Sequence, residues 1–288
     1  MAHDLKILHA ADLHGNLSHY RRLLFLAEKE KADCIVIGGD LLPGGLPLAV
    51  LAEVQRRFII NCLRPLFEKF KEVNLEKTIY LMMGNDDFAI NMDRLEEMEC
   101  DGLVKSLHLR THPLTDSLSI AGYGCVPPTS FLIKDWERLD GERAAVPARS
   151  YQACSSAPDG IVPVDVREWF ITHNTIGEDL ETLARLSEPA STVYVMHTPP
   201  FGTTLDVLRN GRHAGSRLVR RFIEEYMPPL TLHGHIHESH HMTMELTDRI
   251  GRTVCINPGQ SEKVLHAVII NLSGQNLSRI SSMTAKTP

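Results

Sequence analysis

Lys6-Ile7-Leu8-His9-Ala10-Ala11-Asp12-Leu13-His14 is the stretch that decides the fold. An apolar run of strand length ends on a carboxylate and an imidazole two residues apart. The same form returns four times: Cys34 to Gly38 before Gly39-Asp40, Thr78 to Met83 before Gly84-Asn85-Asp86-Asp87, Val193 to Met196 before His197, and Leu230 to His233 before Gly234-His235-Ile236-His237. Short runs that are apolar almost throughout read as strands buried on both faces. Helical periodicity fills the intervals. Leu17 to Lys31 carries Leu23, Leu24, Leu26 and Ala27 on one side and charges on the other, and a long helix is expected over Leu48 to Lys71 with a kink at Pro65. Further helices are expected over Glu178 to Ser187 and over Ser216 to Tyr226, with Ser216 as an N-cap. From Met242 to Leu272 the pattern becomes meander-like, with Asn257-Pro258-Gly259 as a turn. The class is α/β: a sandwich of mixed sheets flanked by helices. In such folds ligands collect at the carboxyl ends of strands, where every motif above sits.

The 288 residues, 43% hydrophobic and 23% charged, give an ordinary globular balance. We expect one domain over residues 1–280, a proline-broken, irregular insertion over about 126–176, and a disordered polar tail over 281–288. No apolar run reaches the roughly 18 residues of a membrane helix. The first residues lack the pattern of a secretory signal. Six cysteines lie scattered without a C-x-x-C pair, and Cys34 and Cys255 fall in strand-like runs. These features lead us to expect a cytoplasmic protein with reduced core cysteines. The net charge of -6 disfavours a grip on duplex nucleic acid along its backbone.

Asp12 and His14, two apart on an extended segment, project to one side, as do His235 and His237. Asp40 has two oxygens and can bridge two cations; Asn85 offers a neutral oxygen and His197 a nitrogen. Such a mixed N/O set suits two divalent transition-metal ions: Mn, Fe, Zn, Co or Ni, with Mn the expected ion in vitro. Two carboxylates against two dications leave about +2, which suits an anionic phosphoester; such ions, roughly 3.5–4 Å apart, can activate a bridging water as nucleophile.

The order D-x-H, G-D, G-N, H, G-H-x-H, over about residues 6 to 260, resembles the calcineurin-like metallophosphoesterase superfamily. The stretches GNDD, GHIHES (Gly234 to Ser239) and NPG look most like its Icc-related predicted phosphoesterases. The resemblance implies a four-layer α/β/β/α sandwich. It places Asp12, His14, Asp40 and His237 on one metal and Asp40, Asn85, His197 and His235 on the other. One departure matters. The family's third motif usually reads G-N-H-[DE], with the histidine near the scissile bond; here Asp86 stands there. An ordinary Asp, with a pKa of about 3.9, is a poor proton donor at neutral pH. We expect Asp86 to hold His197, a water or a basic substrate group. The substrate is then a diester or another ester whose leaving group needs little protonation, and a small-molecule phosphoester or nucleotide is the expected partner. The alternatives are a phosphomonoesterase, a pyrophosphate-cleaving nucleotide hydrolase, or a non-catalytic metal-binding scaffold.

Other residues have plainer readings. Gly211 to Ser216 could flank the site mouth, with Arg212 on a phosphate oxygen and His213 as a proton donor. Asp87 has a local turn role or a catalytic one. His9 reads as a satisfied core histidine, and His240 and His241 as solvated. Trp136 and Trp169 read as anchors of the insertion, and Arg217, Arg220 and Arg221 as a solvated helix face.

Overall fold

The computed structural model describes residues 4–141, 152–274 and 276–286. In chain order the elements are β1 (Asp4–Ala10), α1 (Leu17–Lys29), β2 (Cys34–Gly38), α2 (Leu48–Phe58), α3 (Arg64–Val73), β3 (Thr78–Met82), α4 (Met92–Cys100), β4 (Lys105–Ser106), β5 (Thr111–Pro113) and β6 (Ser119–Tyr123). They continue with β7 (Gln152–Ala157), β8 (Gly160–Asp165), α5 (Val166–Thr172), α6 (Ile176–Leu186), β9 (Thr192–Met196), α7 (Arg217–Tyr226), β10 (Leu230–Leu232), α8 (Ser239–Thr243), β11 (Thr247–Ile250), β12 (Thr253–Ile256), β13 (Val264–Ser273) and β14 (Asn276–Lys286). Two mixed sheets result, ordered β14-β13-β1-β2-β3-β4 and β11-β12-β10-β9-β6-β5. In the first, β1 through β4 run parallel and β13 and β14 pair antiparallel at one side. In the second, β12, β10, β9 and β6 run parallel between antiparallel edges.

Alternation along each strand builds the layers. Leu5 and Ile7 of β1, Val36 of β2, Ile120 of β6, Val193 and Val195 of β9 and Leu232 of β10 form the core between the sheets. Their neighbours Leu8, Ala10, Ile35, Ile37, Tyr194 and Met196 face outward onto helix residues such as Tyr20, Leu23, Phe67 and Phe222. Burial of both faces explains why these strands read as continuous apolar runs. The expected α/β/β/α sandwich is the observed fold.

Several elements differ from the sequence reading. The long second helix is α2 and α3 joined by a π-turn over Ile59–Leu63, just ahead of Pro65. Proline lacks an N–H and crowds the preceding turn, and the widened turn absorbs both defects. The insertion is not irregular: β7 and β8 form an antiparallel hairpin, and α5 follows. Pro158 lies in the hairpin turn, and Pro163 pairs with Cys154 in a two-stranded ribbon, where a missing N–H is tolerated. Residues 142–151 of the insertion lie outside the described residues. The polar tail is strand through Lys286, paired with β13 from Ser273↔Asn276 to Val264↔Lys286. Ile280 packs against the core between the sheets, and Met283, on the other face of the strand, packs against the core under the helices. Asn257-Pro258-Gly259 is no hairpin turn: it carries the chain from β12 in one sheet to β13 in the other. Among the described residues no helix is long and apolar enough to cross a membrane.

Candidate metal centre

The five motif loops meet at the carboxyl ends of β1, β2, β3, β9 and β10. Their backbone is unusual. Asp12, His14, Asp40 and His235 all have positive φ, at 58°, 42°, 49° and 64°. For non-glycine residues this region is disfavoured and persists only where surrounding bonds hold it. Asp12 N donates to Gly39 O at 3.0 Å, His14 N to Asp40 O at 2.9 Å and Gly15 N to Leu41 O at 2.9 Å. Asp86 N donates to Asp40 Oδ1 at 2.9 Å, and His235 N donates to both Asp12 oxygens at 2.9 and 3.0 Å. The loops therefore fix one another's carboxylates. At Gly84 the reason for glycine is proximity, since a Cβ there would lie 2.4 Å from Asp40 Oδ1.

The donor atoms converge in two overlapping groups. One atom each from Asp12, His14, Asp40 and His237 lie within 4.8 Å of one another, and so do atoms of Asp40, His197 and His235. Asp40 belongs to both groups. His14 Nε2 faces His237 Nε2 at 3.1 Å, His237 Nε2 lies 3.3 Å from Asp12 Oδ1, and His197 Nε2 lies 3.3 Å from Asp40 Oδ2. His197 Nδ1 sits 2.8 Å from Gly38 O. The carbonyl requires Nδ1 to carry the proton, so a neutral ring turns its Nε2 lone pair into the site. His197 Nε2 and Asn85 Oδ1 are buried with no hydrogen-bond partner. Such buried acceptors are costly, and a cation would satisfy both. The donor set thus fits a pair of divalent ions.

Without cations, protons take their place. Burial works to lower His197 and His237, but Asp40 and Asp12 outweigh it and hold each imidazole up at about 9. Burial and then the His197 charge push His235 down to about 3. Burial works to raise Asp12 and Asp40, yet His237 on Asp12 and His197 on Asp40 hold both carboxyls below the ordinary range.

Sequence comparison agrees with this geometry. The family model described as calcineurin-like phosphoesterase matches residues 5–239. The chain belongs to that family. No curated protein matches significantly. Among solved structures, one crystal structure at 16% identity matches with a TM-score of 0.66, covering 99% of this chain and 100% of its own. The crystal structure of TT1561 of Thermus thermophilus matches at 16% identity and a TM-score of 0.59, covering 99% and 100%. A dimetal phosphatase from Danio rerio matches at 10% identity and 0.52, covering 99% of each chain. At these identities the likeness is one of fold.

Around the phosphoesterase motifs, other residues hold the donors in place. Asp87 is buried, and its carboxylate accepts the N–H groups of Gly84, Leu41 and Leu42 at 2.8 to 2.9 Å. That ties the third motif loop to the second, a structural role. Trp136 anchors the insertion by donating to Asp87 O at 2.8 Å, and Trp169 packs on His173 and donates to Glu137 O at 3.3 Å. Asn257 Nδ2 donates to Gly234 O and Ile236 O, and Gln260 Nε2 donates to Ala11 O. His9 is buried, with ring nitrogens on Val36 O and His233 O. His240 is partly buried and His241 exposed on α8.

Asp86 does not meet His197, contrary to one of the expected contacts. Its Oδ2 lies 3.6 Å from His14 Nδ1, and its Oδ1 accepts from Asn85 Nδ2 at 3.1 Å. Burial and the Asp40 charge raise its carboxyl to about 6 when no cation is bound.

Two cavities open on the donors and share His237 and Glu238. One, of about 750 Å³, is lined by Asp12, His14, His19, Arg209, His241 and Lys263 among others. The second, of about 370 Å³, is lined by Asp40, Asn85, Asp86, His235 and an apolar wall from Pro127, Pro128, Phe131 and Leu208. Arg212 and His213 line neither cavity. Both are exposed, and His213 Nδ1 is drawn to Asp206 Oδ1 at 2.7 Å. The cation this loop brings to the site is Arg209, which the sequence reading missed.

Proposed function

We propose that this phosphoesterase hydrolyses phosphodiesters with two divalent transition-metal ions. Asp12, His14, Asp40 and His237 would hold one ion, and Asp40, Asn85, His197 and His235 the other. When bound, such a pair lowers the pKa of a bridging water and clamps the phosphoryl oxygens of an in-line displacement. The observation that carries the diester reading is the pair of cavities meeting at the donor cluster. A phosphoryl group seated there has room for an ester arm on either side.

The protein's own residues set the geometry. His197 is fixed by the Gly38 carbonyl, and Asn85 is oriented by Asp86. In this reading Asp86 positions His14 and Asn85 and leaves the departing alkoxide without a strong side-chain acid. That suits esters whose leaving group needs little protonation. Arg209 supplies positive charge on the larger-cavity side.

Freshly purified, Mn-loaded protein is to be assayed on bis(p-nitrophenyl) phosphate and on p-nitrophenyl phosphate. The diester is expected to turn over and the monoester far more slowly. Preference for the monoester would reject the diester reading, and turnover of neither would favour a scaffold. An Asp86→Asn variant is expected to keep the alkaline fall of its pH–rate profile; loss of that fall, which reports a group that must be protonated, would make Asp86 the proton donor.

A further inference from the structure

We propose that the apolar wall of the smaller cavity binds a planar aromatic ring on one ester arm of the substrate, such as a nucleobase or an aryl group, with Phe131 as the residue that selects it. This rests on the reading of the site as a phosphoester centre. Phe131 is a large apolar side chain left 51% exposed. It lies on the wall of a cavity that also contains Asp40, Asn85, Asp86, His235 and His237, so an occupant is within reach of the reacting phosphorus. Pro127 and Pro128 add flat, rigid surface beside it. Among the described residues no lysine or arginine lines this cavity, and its charged groups besides Asp40, Asp86 and the histidines are limited to Glu238. A second phosphate is therefore disfavoured here, whereas Arg209 and Lys263 both line the larger cavity. A volume of about 370 Å³ lies at the lower end of small-molecule sites and suits one ring system.

A second observation shows that this loop is built to hold its shape. Lys134 and Glu137 are both 0% exposed, and Lys134 Nζ meets Glu137 Oε2 at 2.7 Å. A buried ion pair contributes little net stability, because desolvation offsets attraction. This one grips the ring-binding loop. Glu137 accepts the N–H of Thr129 at 3.0 Å and its hydroxyl, Lys134 Nζ donates to Thr129 O at 3.2 Å, and Thr129 Oγ1 accepts the N–H of Phe131 at 3.0 Å. The buried charges thus fix the backbone that presents Phe131, and preorganisation lowers the cost of binding.

The test is calorimetric binding of adenosine 5′-monophosphate and ribose 5-phosphate to Mn-loaded protein, for wild type, Phe131→Ala and Phe131→Trp. Stacking on one aromatic side chain supports a preference for the nucleotide of about tenfold in wild type. Phe131→Ala is expected to lose it and Phe131→Trp to keep it; because Phe131 is half exposed, both variants should fold, which their unfolding curves check. Equal binding of the two ligands to wild type, or an unchanged preference in Phe131→Ala, would overturn the proposal. The two readings fail separately. Ring-dependent binding without turnover of bis(p-nitrophenyl) phosphate sinks the diesterase reading alone, and turnover without ring preference sinks this one alone.

Discussion

Gly39→Ala is the substitution that most sharply tests how the site is assembled. Gly39 has φ +113°, and an added Cβ would lie 2.3 Å from His197 Nδ1 and 2.7 Å from its Cγ. No methyl group fits there, so the imidazole must move. Two costs add. The backbone conformation is disfavoured for alanine by about 1–3 kcal/mol. Displacing the ring breaks its bond to Gly38 O and strands buried polar groups, at about 1–3 kcal/mol more. The sum is roughly 2–6 kcal/mol, and the second donor group loses His197. Gly45→Ala is the control: φ is +73° there, but nothing lies within 4 Å of the added Cβ. It should cost only about 1–2 kcal/mol of left-handed strain and leave the site intact. Urea unfolding in chelator, with metal content measured by mass spectrometry after reloading, reads both effects. If Gly39→Ala unfolded within about 1 kcal/mol of Gly45→Ala and bound the same metal as wild type, the packing of Gly39 on His197 would be refuted.

Three further outcomes are expected. Asp87→Ala leaves three buried N–H groups without an acceptor and should destabilise the protein by about 3 kcal/mol or more, with Asp87→Asn intermediate; a loss under about 1 kcal/mol in urea unfolding would contradict the clamp. In chelator, stability should fall as pH rises. His197 and His237 titrate near 9 in the folded state against an ordinary 6.5, so their contribution is complete below pH 6.5 and lost as pH rises through 9. Metal ions displace those protons, so urea midpoints of loaded protein should lack this decline, and a decline equal in both states would refute the assignment. Arg212→Ala and His213→Ala should leave kcat/KM for the diester within about twofold, whereas Arg209→Ala should lower it about tenfold, and the reverse pattern would return the role to Arg212.

The donors were legible because their chemistry demands particular residue types just after apolar strands. Asp12, His14, Asp40, Asn85, His197, His235 and His237 could be picked out without coordinates; the structure groups the two aspartates and four histidines, and places Asn85 on a cavity wall with Asp40 and His235. The sandwich followed from strands buried on both faces. What escaped depended on tertiary context. Pro158 and Pro163 read as breakers, yet Pro158 sits in the hairpin turn and Pro163 lies opposite Cys154, whose own N–H is bonded to Leu132 O and asks nothing of it. The tail carries few apolar residues, and pairing with β13 orders it as strand. The choice of Arg209 over Arg212 is made by Asp206, which accepts from Gly202 N, Thr203 N and Gly215 N and turns His213 away from the site. The contact of Asp86 with His14 follows from its neighbour, since Asp87 is drawn inward by three N–H groups. Thr175 and Glu178 form a capping box, a pattern written in the sequence, and it starts α6 at Ile176, ahead of the expected Glu178.

Asp40 belongs to both donor groups and would join them into one dinuclear centre. Metal titration of chelator-stripped protein, followed by calorimetry and by metal analysis after desalting, tests it most directly. Wild type should take up two Mn ions per chain and release at least two protons at about pH 7.5, one each from His197 and His237. Asp40→Asn should weaken both sites together. A single ion per chain, or an Asp40→Asn variant that still binds two ions with wild-type affinity, would contradict the account.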